Sequence, residues 1–174
     1  MQDFIDRAKQ IKLIIFDVDG VLTDGSLFLG DDGQEYKAFN SHDGHGMKML
    51  KASGVELAII TGRASQVVER RAQNLGITHL HQGAADKLAV YQELIAKLQL
   101  TPEATAFMGD DLVDLPVMRR CGLSICVPDA PPVVKEYAHY VTRLSGGRGA
   151  VREICERIMQ AQQTYEAQLA LYLR

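Results

Sequence analysis

The chain has 174 residues, of which 47% are apolar and 24% charged, a composition typical of a folded protein rather than a disordered one. This length predicts a single domain over residues 1–174 with a sizeable buried core. The net charge of −3, without any block of basic residues, excludes electrostatic capture of nucleic acid or of an anionic membrane surface.

The sequence also lacks the marks of a membrane or secreted protein. No apolar stretch reaches the roughly 18 residues that a membrane span needs. The opening MQDFIDRAKQ has neither the apolar core nor the cleavage site of a signal peptide. Cys121, Cys126 and Cys155 form no CxxC motif and no even set, which favours buried thiols in a reducing compartment. We therefore expect a cytoplasmic protein without nucleic-acid or membrane partners.

Short β-rich apolar runs alternate with segments of helical period. The predicted strands cover residues 12–16, 56–60, 79–81, 105–108 and 123–127. The predicted helices cover residues 46–52, 65–75, 85–98 and 112–120. Ser65 and Asp86 are suited to begin helices, and Gly54, Gly76 and Gly122 to end them. The alternation predicts an α/β fold, with a doubly wound and mostly parallel open sheet.

Two segments depart from this alternation. Between the first strand and the first helix, residues 25–39 predict a β-hairpin with its turn at Asp31-Asp32-Gly33. Its apolar side chains exceed what a lone hairpin can shelter. At the other end, residues 148–174 predict an amphipathic helix with an apolar tail, LALYLR.

Polar residues follow three of the predicted strands. Asp17 and Asp19 come directly after the first strand, and Thr61, Gly62 and Arg63 after the second. Asp110 and Asp111 follow the fourth, Asp114 lies one helical turn further on, and Lys87 begins the preceding helix. Because the carboxyl ends of parallel strands face one crevice, we expect these side chains to converge there.

Each of these residues also has a structural interpretation. Asp-x-Asp-Gly is a common turn composition, Asp110 and Asp111 could cap the next helix, and Lys87 could be a solvated surface lysine. However, clustered carboxylates repel one another unless a cation lies between them. Oxygen ligands of this kind suit Mg²⁺, and a hydroxyl with an ammonium suits the oxygens of a phosphoryl group.

The order of DxD, strand-end Thr, Lys and GDD resembles the haloacid dehalogenase superfamily, in its phosphatase branch, over residues 11–141. The resemblance implies that Asp17 is the nucleophile and Asp19 the general acid and base, with Thr61 and Lys87 binding the phosphoryl oxygens. It implies Mg²⁺ held by Asp17, the carbonyl of Asp19 and Asp110, with Asp111 and Asp114 supporting these ligands. The spacings from Asp17 to Thr61 and from Thr61 to Lys87 leave no room for the cap domain that many members carry.

Further matches, among them FNSHDGHGMK and GGRGAVREIC, resemble the members that act on sugar acid phosphates in lipopolysaccharide synthesis. This resemblance implies an eight-carbon sugar acid phosphate as substrate and a homo-tetramer whose hairpins associate. Besides Asp19 and Lys87, the implied substrate-binding residues are Asn40, Ser41, His42, Asp43, Gly44, Lys48, Gly62, Arg63, Arg71 and Arg148. If Arg63 and Arg71 share one regular helix, their spacing of about two turns lets both face the crevice.

Several alternatives stay open from the sequence. The substrate could be a nine-carbon sugar acid phosphate, or the enzyme could be a phosphotransferase or a protein phosphatase with an open site. A non-catalytic assembly module would have the same fold. His42 and His45 could form a metal pair, and Arg148 could either guard a neighbouring subunit's site or merely begin the last helix.

Overall fold

A computed structural model describes residues 2–174, and its centre is a parallel sheet of six strands in the order β5-β4-β1-β6-β7-β8. The strands of this sheet are β1 (Leu13–Phe16), β4 (Glu56–Ile60), β5 (His79–His81), β6 (Thr105–Gly109), β7 (Leu123–Cys126) and β8 (Tyr140–Val141). Two further strands, β2 (Phe28–Leu29) and β3 (Glu35–Tyr36), pair antiparallel as a separate hairpin.

Eight helices accompany the strands in the described part of the chain. They are α1 (Gln2–Ala8), α2 (Ser41–Ala52), α3 (Gln66–Leu75), α4 (Lys87–Lys97), α5 (Leu115–Met118), α6 (Pro132–Glu136), α7 (Ala150–Ala161) and α8 (Tyr165–Ala170). Helix α7 packs against α2 and α1, while α4 packs against α5. Right-handed crossovers place α2 and α3 on one face of the sheet and α4, α5 and α6 on the other. The doubly wound α/β fold expected from the sequence is confirmed.

The central strand explains why the sheet forms where it does. All four side chains of β1, Leu-Ile-Ile-Phe, are fully buried, as expected for a strand covered by helices on both faces. From β1 the chain proceeds to β4 and β5 on one side, and later to β6, β7 and β8 on the other. The crevice between the two directions, at the carboxyl ends of the strands, is where such sheets bind ligands.

Two predicted helix boundaries are confirmed by their capping geometry. The Asp86 carboxylate accepts hydrogen bonds from the backbone N–H groups of Leu88 and Ala89, at 3.0 and 3.1 Å, which satisfies otherwise unpaired donors at the start of α4. Gly76 ends α3 in the left-handed region at φ 69°, where glycine carries no steric penalty.

Other boundaries were wrong. Helix α2 begins at Ser41, not at Gly46, because Asn40 caps it, and the glycines of HDGHG obscured its first turn. The segment predicted as one helix over residues 112–120 is a 3₁₀ turn, Leu112–Asp114, followed by the short α5. Helices α1 and α6 and strand β8 had not been predicted, since each has at most seven residues and therefore a weak periodic signal.

The hairpin is confirmed, but its strands have two residues each. Between β1 and β4 the chain forms only this hairpin and α2, so no cap domain is inserted there, as expected. Cys121, Cys126 and Cys155 are free and buried, also as expected. Over residues 2–174, none of the helices has both the length and the apolar character needed to cross a membrane.

Candidate active site

The carboxyl ends of β1, β4 and β6 meet at one edge of the sheet. Phe16 ends β1 in register with Ile59 of β4 and Met108 of β6, and the Asp17 N–H donates to the Met108 carbonyl at 3.0 Å. A cavity of about 440 Å³ opens at this edge. The predicted site residues that line it are Asp17, Asp19, Thr61, Gly62, Arg63, Lys87, Asp110 and Asp111.

Lys87 is buried in the floor of the cavity. Its Nζ lies 2.8 Å from Asp17 Oδ2 and 2.7 Å from Asp114 Oδ1, and the residue is only 5% exposed. Burial alone lowers the pKa of Lys87, but its two carboxylate partners raise it above its usual value, so the side chain is an ammonium. The interpretation of Lys87 as a solvated surface lysine was wrong.

The carboxylates around Lys87 are crowded. Oxygens of Asp17, Asp110 and Asp114 lie within 4.8 Å of one another. Burial, together with Asp114, raises the pKa of Asp17 to about 6 against the lowering effect of Lys87. Burial and the neighbouring carboxylates raise the pKa of Asp110 to about 7. One ammonium therefore does not balance this cluster, and a further cation would favour its ionised form.

Both oxygens of Asp114 accept hydrogen bonds from the protein. Its Oδ1 accepts from Lys87, and its Oδ2 accepts from the N–H groups of Asp110 and Asp111 at 3.0 and 3.2 Å. The exposed Asp111 in turn accepts from the Leu112 N–H at 2.7 Å. Asp114 thus fixes the loop after β6, whereas Asp17 and Asp110 are the members of this cluster that line the cavity.

Gly20 allows Asp110 to approach the first strand. Its φ of +85° lies in the left-handed region, and a Cβ at this position would overlap the Asp110 carboxylate. Any side chain here would meet both a backbone penalty and a collision. The glycine of the DVDG sequence is therefore required by the geometry of the carboxylate cluster.

Asp19 faces a different set of charges. Its Oδ1 accepts a hydrogen bond from Lys37, which follows β3, and its Oδ2 lies 3.8 Å from Arg63 Nε. Glu35 of β3 bridges the same two cations, at 2.7 Å from Lys37 Nζ and 2.9 Å from Arg63 Nη2. Lys37 and Glu35 were missed from the sequence, although strand alternation places both on the side opposite Tyr36.

The predicted substrate-binding residues 40–44 form the N-terminal turn of α2. Asn40 Oδ1 accepts from the N–H groups of His42 and Asp43, at 2.8 and 3.2 Å. Asp43 is buried and accepts from the Arg152 N–H at 2.8 Å, so its carboxylate joins α2 to the start of α7. Within this turn Asp43 and Gly44 are buried, whereas Ser41 and His42 are exposed, as is Lys48 further along the helix.

Arg71 belongs to this second cluster rather than to the cavity at Asp17. Its guanidinium packs on Gly44, where a side chain would collide with it, and donates to the Asn40 carbonyl at 3.0 Å. Arg63 precedes α3, which begins at Gln66. The assumption that Arg63 and Arg71 lie two turns apart on one helix was therefore wrong.

The glycine-rich segment Gly146–Gly149 packs on the loop that carries Asp19. A Cβ on Gly146 would overlap the Gly20 carbonyl, and one on Gly147 would lie 2.6 Å from the Thr23 carbonyl carbon. Arg148, just before α7, is exposed and pairs with Asp24 at 3.0 Å. Within this chain, Arg148 thus connects the glycine-rich segment to the end of the Asp19 loop.

The two histidines of α2 show no metal cluster. His45 contacts the Tyr172 ring edge to face, with centroids 5.2 Å apart. Over residues 2–174, the group of at least three His, Cys, Asp or Glu side chains with ligand geometry is Asp17, Asp110 and Asp114. The histidine pair therefore lacks the further ligands of a metal site.

Comparison with known proteins agrees with this geometry. Residues 77–154 match the family model of the haloacid dehalogenase-like hydrolases. The 3-deoxy-D-manno-octulosonate 8-phosphate phosphatase KdsC of Yersinia pestis is 53% identical over 169 residues, which cover 97% of this chain and 90% of the relative.

Solved structures give the same assignment. A probable YrbI family phosphatase from Pseudomonas syringae superposes with a TM-score of 0.98 at 56% identity, covering 100% of this chain and 99% of that one. The 3-deoxy-D-manno-octulosonate 8-phosphate phosphatase of Moraxella catarrhalis, in complex with magnesium, phosphate and KDO, has a TM-score of 0.97 at 45% identity, covering 99% of each chain. This chain belongs to the haloacid dehalogenase-like hydrolases, in the family of the 3-deoxy-D-manno-octulosonate 8-phosphate phosphatases.

Proposed function

We propose that this protein is a Mg²⁺-dependent phosphatase that hydrolyses 3-deoxy-D-manno-octulosonate 8-phosphate to the free sugar acid and phosphate, in lipopolysaccharide precursor synthesis. The observation that carries the proposal is the cluster of the buried Asp17 and Lys87 with the half-buried Asp110 at an open cavity, which Asp19 also lines. The similarity to 3-deoxy-D-manno-octulosonate 8-phosphate phosphatases extends over nearly the whole chain.

The residues present fit a magnesium ion. Asp17 and Asp110 supply carboxylate oxygens, the ligands that Mg²⁺ prefers, and the carbonyl of Asp19 would complete the protein's share. The raised pKa values of Asp17 and Asp110 reflect burial and mutual repulsion, which a bound cation relieves. When bound, the ion would offset negative charge on the phosphoryl oxygens.

Asp17 is the proposed nucleophile. Its Oδ1 accepts from the Val18 N–H at 2.7 Å and its Oδ2 from Lys87, so the carboxylate is fixed and directed by the chain itself. Attack forms an Asp17–phosphorus bond while the bond from phosphorus to the sugar oxygen breaks. Thr61 and Lys87 would bind the phosphoryl oxygens, which carry the charge in the transition state.

Asp19 is the proposed general acid and base. It gives a proton to the departing sugar oxygen in the first step. In the second step it takes a proton from the water that attacks phosphorus and releases Asp17. Arg63 lies beside Asp19 and is placed to meet the sugar acid, while the cluster of residues 40–44 with Arg71 and Lys48 would contact more distant groups.

Exposed apolar side chains support a homo-tetramer as the active unit. Leu27, Phe28, Leu29 and Tyr36 of the hairpin are 48, 54, 67 and 59% exposed, and the tail residues Leu171–Leu173 are also exposed. Association of hairpins would cover the former and pair their strand edges. The tail and Arg148 could then reach a neighbouring subunit's site. The three free, buried cysteines favour a cytoplasmic location.

The decisive experiment uses purified protein with a panel of eight- and nine-carbon sugar acid phosphates, with and without a chelator. We expect the eight-carbon substrate to have the highest kcat/KM and the chelator to abolish turnover. Asp17→Asn should lower kcat by roughly 10⁴-fold or more, because the nucleophile is removed. Asp86→Asn, which keeps a helix cap outside the cavity, is the control and should be nearly neutral.

Three results would contradict the proposal. Turnover in metal-free, chelator-treated protein would contradict the proposed magnesium dependence. Retained activity in Asp17→Asn would contradict the proposed role of Asp17 as nucleophile. A preference for the nine-carbon substrate would assign the enzyme to that alternative.

For the assembly, light scattering should give four subunits and Phe28→Asp should dissociate them. A wild-type monomer with full turnover would exclude the tetramer as the active unit.

A further inference from the structure

Lys37 lies on a largely exposed hairpin and is itself half-buried, but its side chain is almost fully covered. It follows β3 directly, and strand alternation places it on the same side as Glu35 and opposite Tyr36. Only 1% of its side chain is exposed, whereas the neighbouring Tyr36 is an exposed residue. Burial of an ammonium is unfavourable unless the charge is paired, so the partners of Lys37 indicate what this position does.

Those partners form a quartet of two carboxylates and two cations. Lys37 Nζ donates to Asp19 Oδ1 and lies 2.7 Å from Glu35 Oε1. Arg63 Nη2 lies 2.9 Å from Glu35 Oε2, and its Nε lies 3.8 Å from Asp19 Oδ2. Oδ1 of Asp19 is therefore held by the hairpin, while the cation nearest to Oδ2 is Arg63, which lines the cavity together with Asp19.

The attachment of the hairpin to the rest of the domain does not by itself require the contact between Lys37 and Asp19. The Glu35–Arg63 pair already joins the hairpin to the loop after β4, and Lys37 could pair with Glu35 without reaching Asp19. Instead Lys37 donates a hydrogen bond to Asp19 and forms an ion pair with Glu35, and the two contacts together raise its pKa above the usual value despite its burial. Lys37 is thus a fixed cation through which the hairpin contacts Asp19.

We propose that Lys37 is a positioning residue for Asp19: it fixes Oδ1 so that Oδ2 carries the proton exchanged with the leaving oxygen and with water. Glu35 holds Lys37 in place. This inference rests on the proposed function, in which Asp19 is the general acid and base. In the first step the Asp17–phosphorus bond forms, the bond from phosphorus to the leaving oxygen breaks, and the proton on Oδ2 passes to that oxygen. Lys37 itself gains and loses nothing.

A residue that acts through the general acid has a distinctive kinetic signature. Phenyl phosphate and p-nitrophenyl phosphate have similar size, but p-nitrophenolate leaves readily without a proton and phenolate does not. The value of kcat/KM reports the first step for both. Loss of the Asp19 position should therefore affect phenyl phosphate more, whereas a general structural defect should affect both equally.

The test measures kcat/KM for both compounds in the wild type, Lys37→Met, Glu35→Gln and Asp19→Asn. We expect Lys37→Met to lose roughly tenfold more activity with phenyl than with p-nitrophenyl phosphate, a fraction of what general acid catalysis supplies. Glu35→Gln should show a smaller loss with the same selectivity. Gln34→Ala, which removes a contact on the same hairpin away from Asp19, should change neither value.

Equal losses with both compounds in Lys37→Met would overturn the inference. If circular dichroism shows that this variant is unfolded, the isosteric Glu35→Gln decides instead, and equal losses or no loss there has the same consequence. Asp19→Asn separates the two proposals. If Asp19→Asn is itself unselective, the acid role in the proposed function fails; if it is selective and Lys37→Met is not, only the positioning role fails.

Discussion

The two carboxylates of the DVD sequence are held by very different parts of the molecule. Asp17 belongs to the floor of the site, defined here as Asp17, Lys87, Asp110 and Asp114. There its nearest charged partner, Lys87, is 2.8 Å away and buried. Asp19 is 22% exposed in its side chain and is held by Lys37, which follows a hairpin whose strands have two residues each.

The different surroundings of Asp17 and Asp19 match the different requirements of their proposed roles. A nucleophile must stay in one place through both steps, and the floor derives its rigidity from two strand ends of a packed sheet and the start of α4. An acid and base must exchange protons with successive partners, and its position depends on an element that is marginal by itself. Changes in the floor should therefore affect folding and chemistry together, whereas changes in the hairpin should affect chemistry or assembly with little effect on the fold.

The largest effect should come from Lys87→Met. Removal of the ammonium leaves Asp17 and Asp114 buried without their cation, which should lower the free energy of unfolding by about 3–5 kcal/mol. The value of kcat should also fall, roughly 10²–10⁴-fold, because Lys87 is the proposed ligand of the phosphoryl oxygens. Denaturant unfolding and steady-state kinetics measure the two quantities.

A second substitution separates charge balance from chemistry in the same floor. Lys87→Met with Asp114→Asn removes one cation and one carboxylate, so part of the lost stability should return. Activity should not return, since the ligand of the phosphoryl group is still absent. Recovery of activity in the double variant would show that Lys87 acts only by balancing Asp114.

Two glycines provide the next comparison, because both have positive φ but different surroundings. Gly20 has φ +85° and no space for a side chain beside Asp110, whereas Gly33 of the hairpin has φ +79° and nothing within 4 Å. Gly33→Ala should cost only the backbone penalty of about 1–2 kcal/mol. Gly20→Ala should carry the same backbone penalty and should also displace Asp110. Because Asp110 is a proposed metal ligand, we expect magnesium affinity or activity to fall roughly 10–100-fold.

Isothermal titration with magnesium and steady-state kinetics check this comparison. Gly33→Ala serves as the matched control, since it carries the same backbone change without the collision. Unaltered magnesium binding in a folded Gly20→Ala protein would mean that Asp110 is not held as tightly as the geometry indicates.

The smallest effect concerns the protection of individual backbone amides from hydrogen exchange. The Asp17 N–H donates to Met108 inside the sheet, and the Gly30 N–H donates to Gln34 within the exposed hairpin. We expect the former amide to exchange only through global unfolding and the latter through local opening. If subunits associate through the hairpin, dilution should reduce the protection of Gly30 but not that of Asp17. Equal and dilution-independent protection at both amides would contradict the contrast between the two regions.

The floor could be predicted from the sequence because topology alone determines it. Runs such as LIIF followed by DVD place carboxylates at strand ends, and parallel strands bring those ends together. The same reasoning could not find the ion pairs of Lys37, because they depend on how the hairpin folds back toward the loop after β4. Nothing in a pair of two-residue strands specifies that direction.

The residues around α2 show a second limit. The family resemblance implied that residues 40–44 contact the substrate, but the start of the helix was hidden by its glycines. The buried position of Asp43 depends on contacts with Gly149 and Arg152, more than a hundred positions away. Such distant contacts cannot be predicted from a local sequence pattern. The position of Lys87 in the site could be predicted, because its partners all follow predicted strands.

The packing of Gly146 and Gly147 on the Asp19 loop has a consequence for the order in which the protein is made. The loop leaves the ribosome well before the backbone that covers it, which lies more than 120 positions further along the chain. During synthesis the nascent chain can form β1 and its first neighbours well before this cover exists. Contacts of such long sequence separation form late and slow the final step of folding. The Asp19 loop is therefore completed only after Gly146 and Gly147 have emerged.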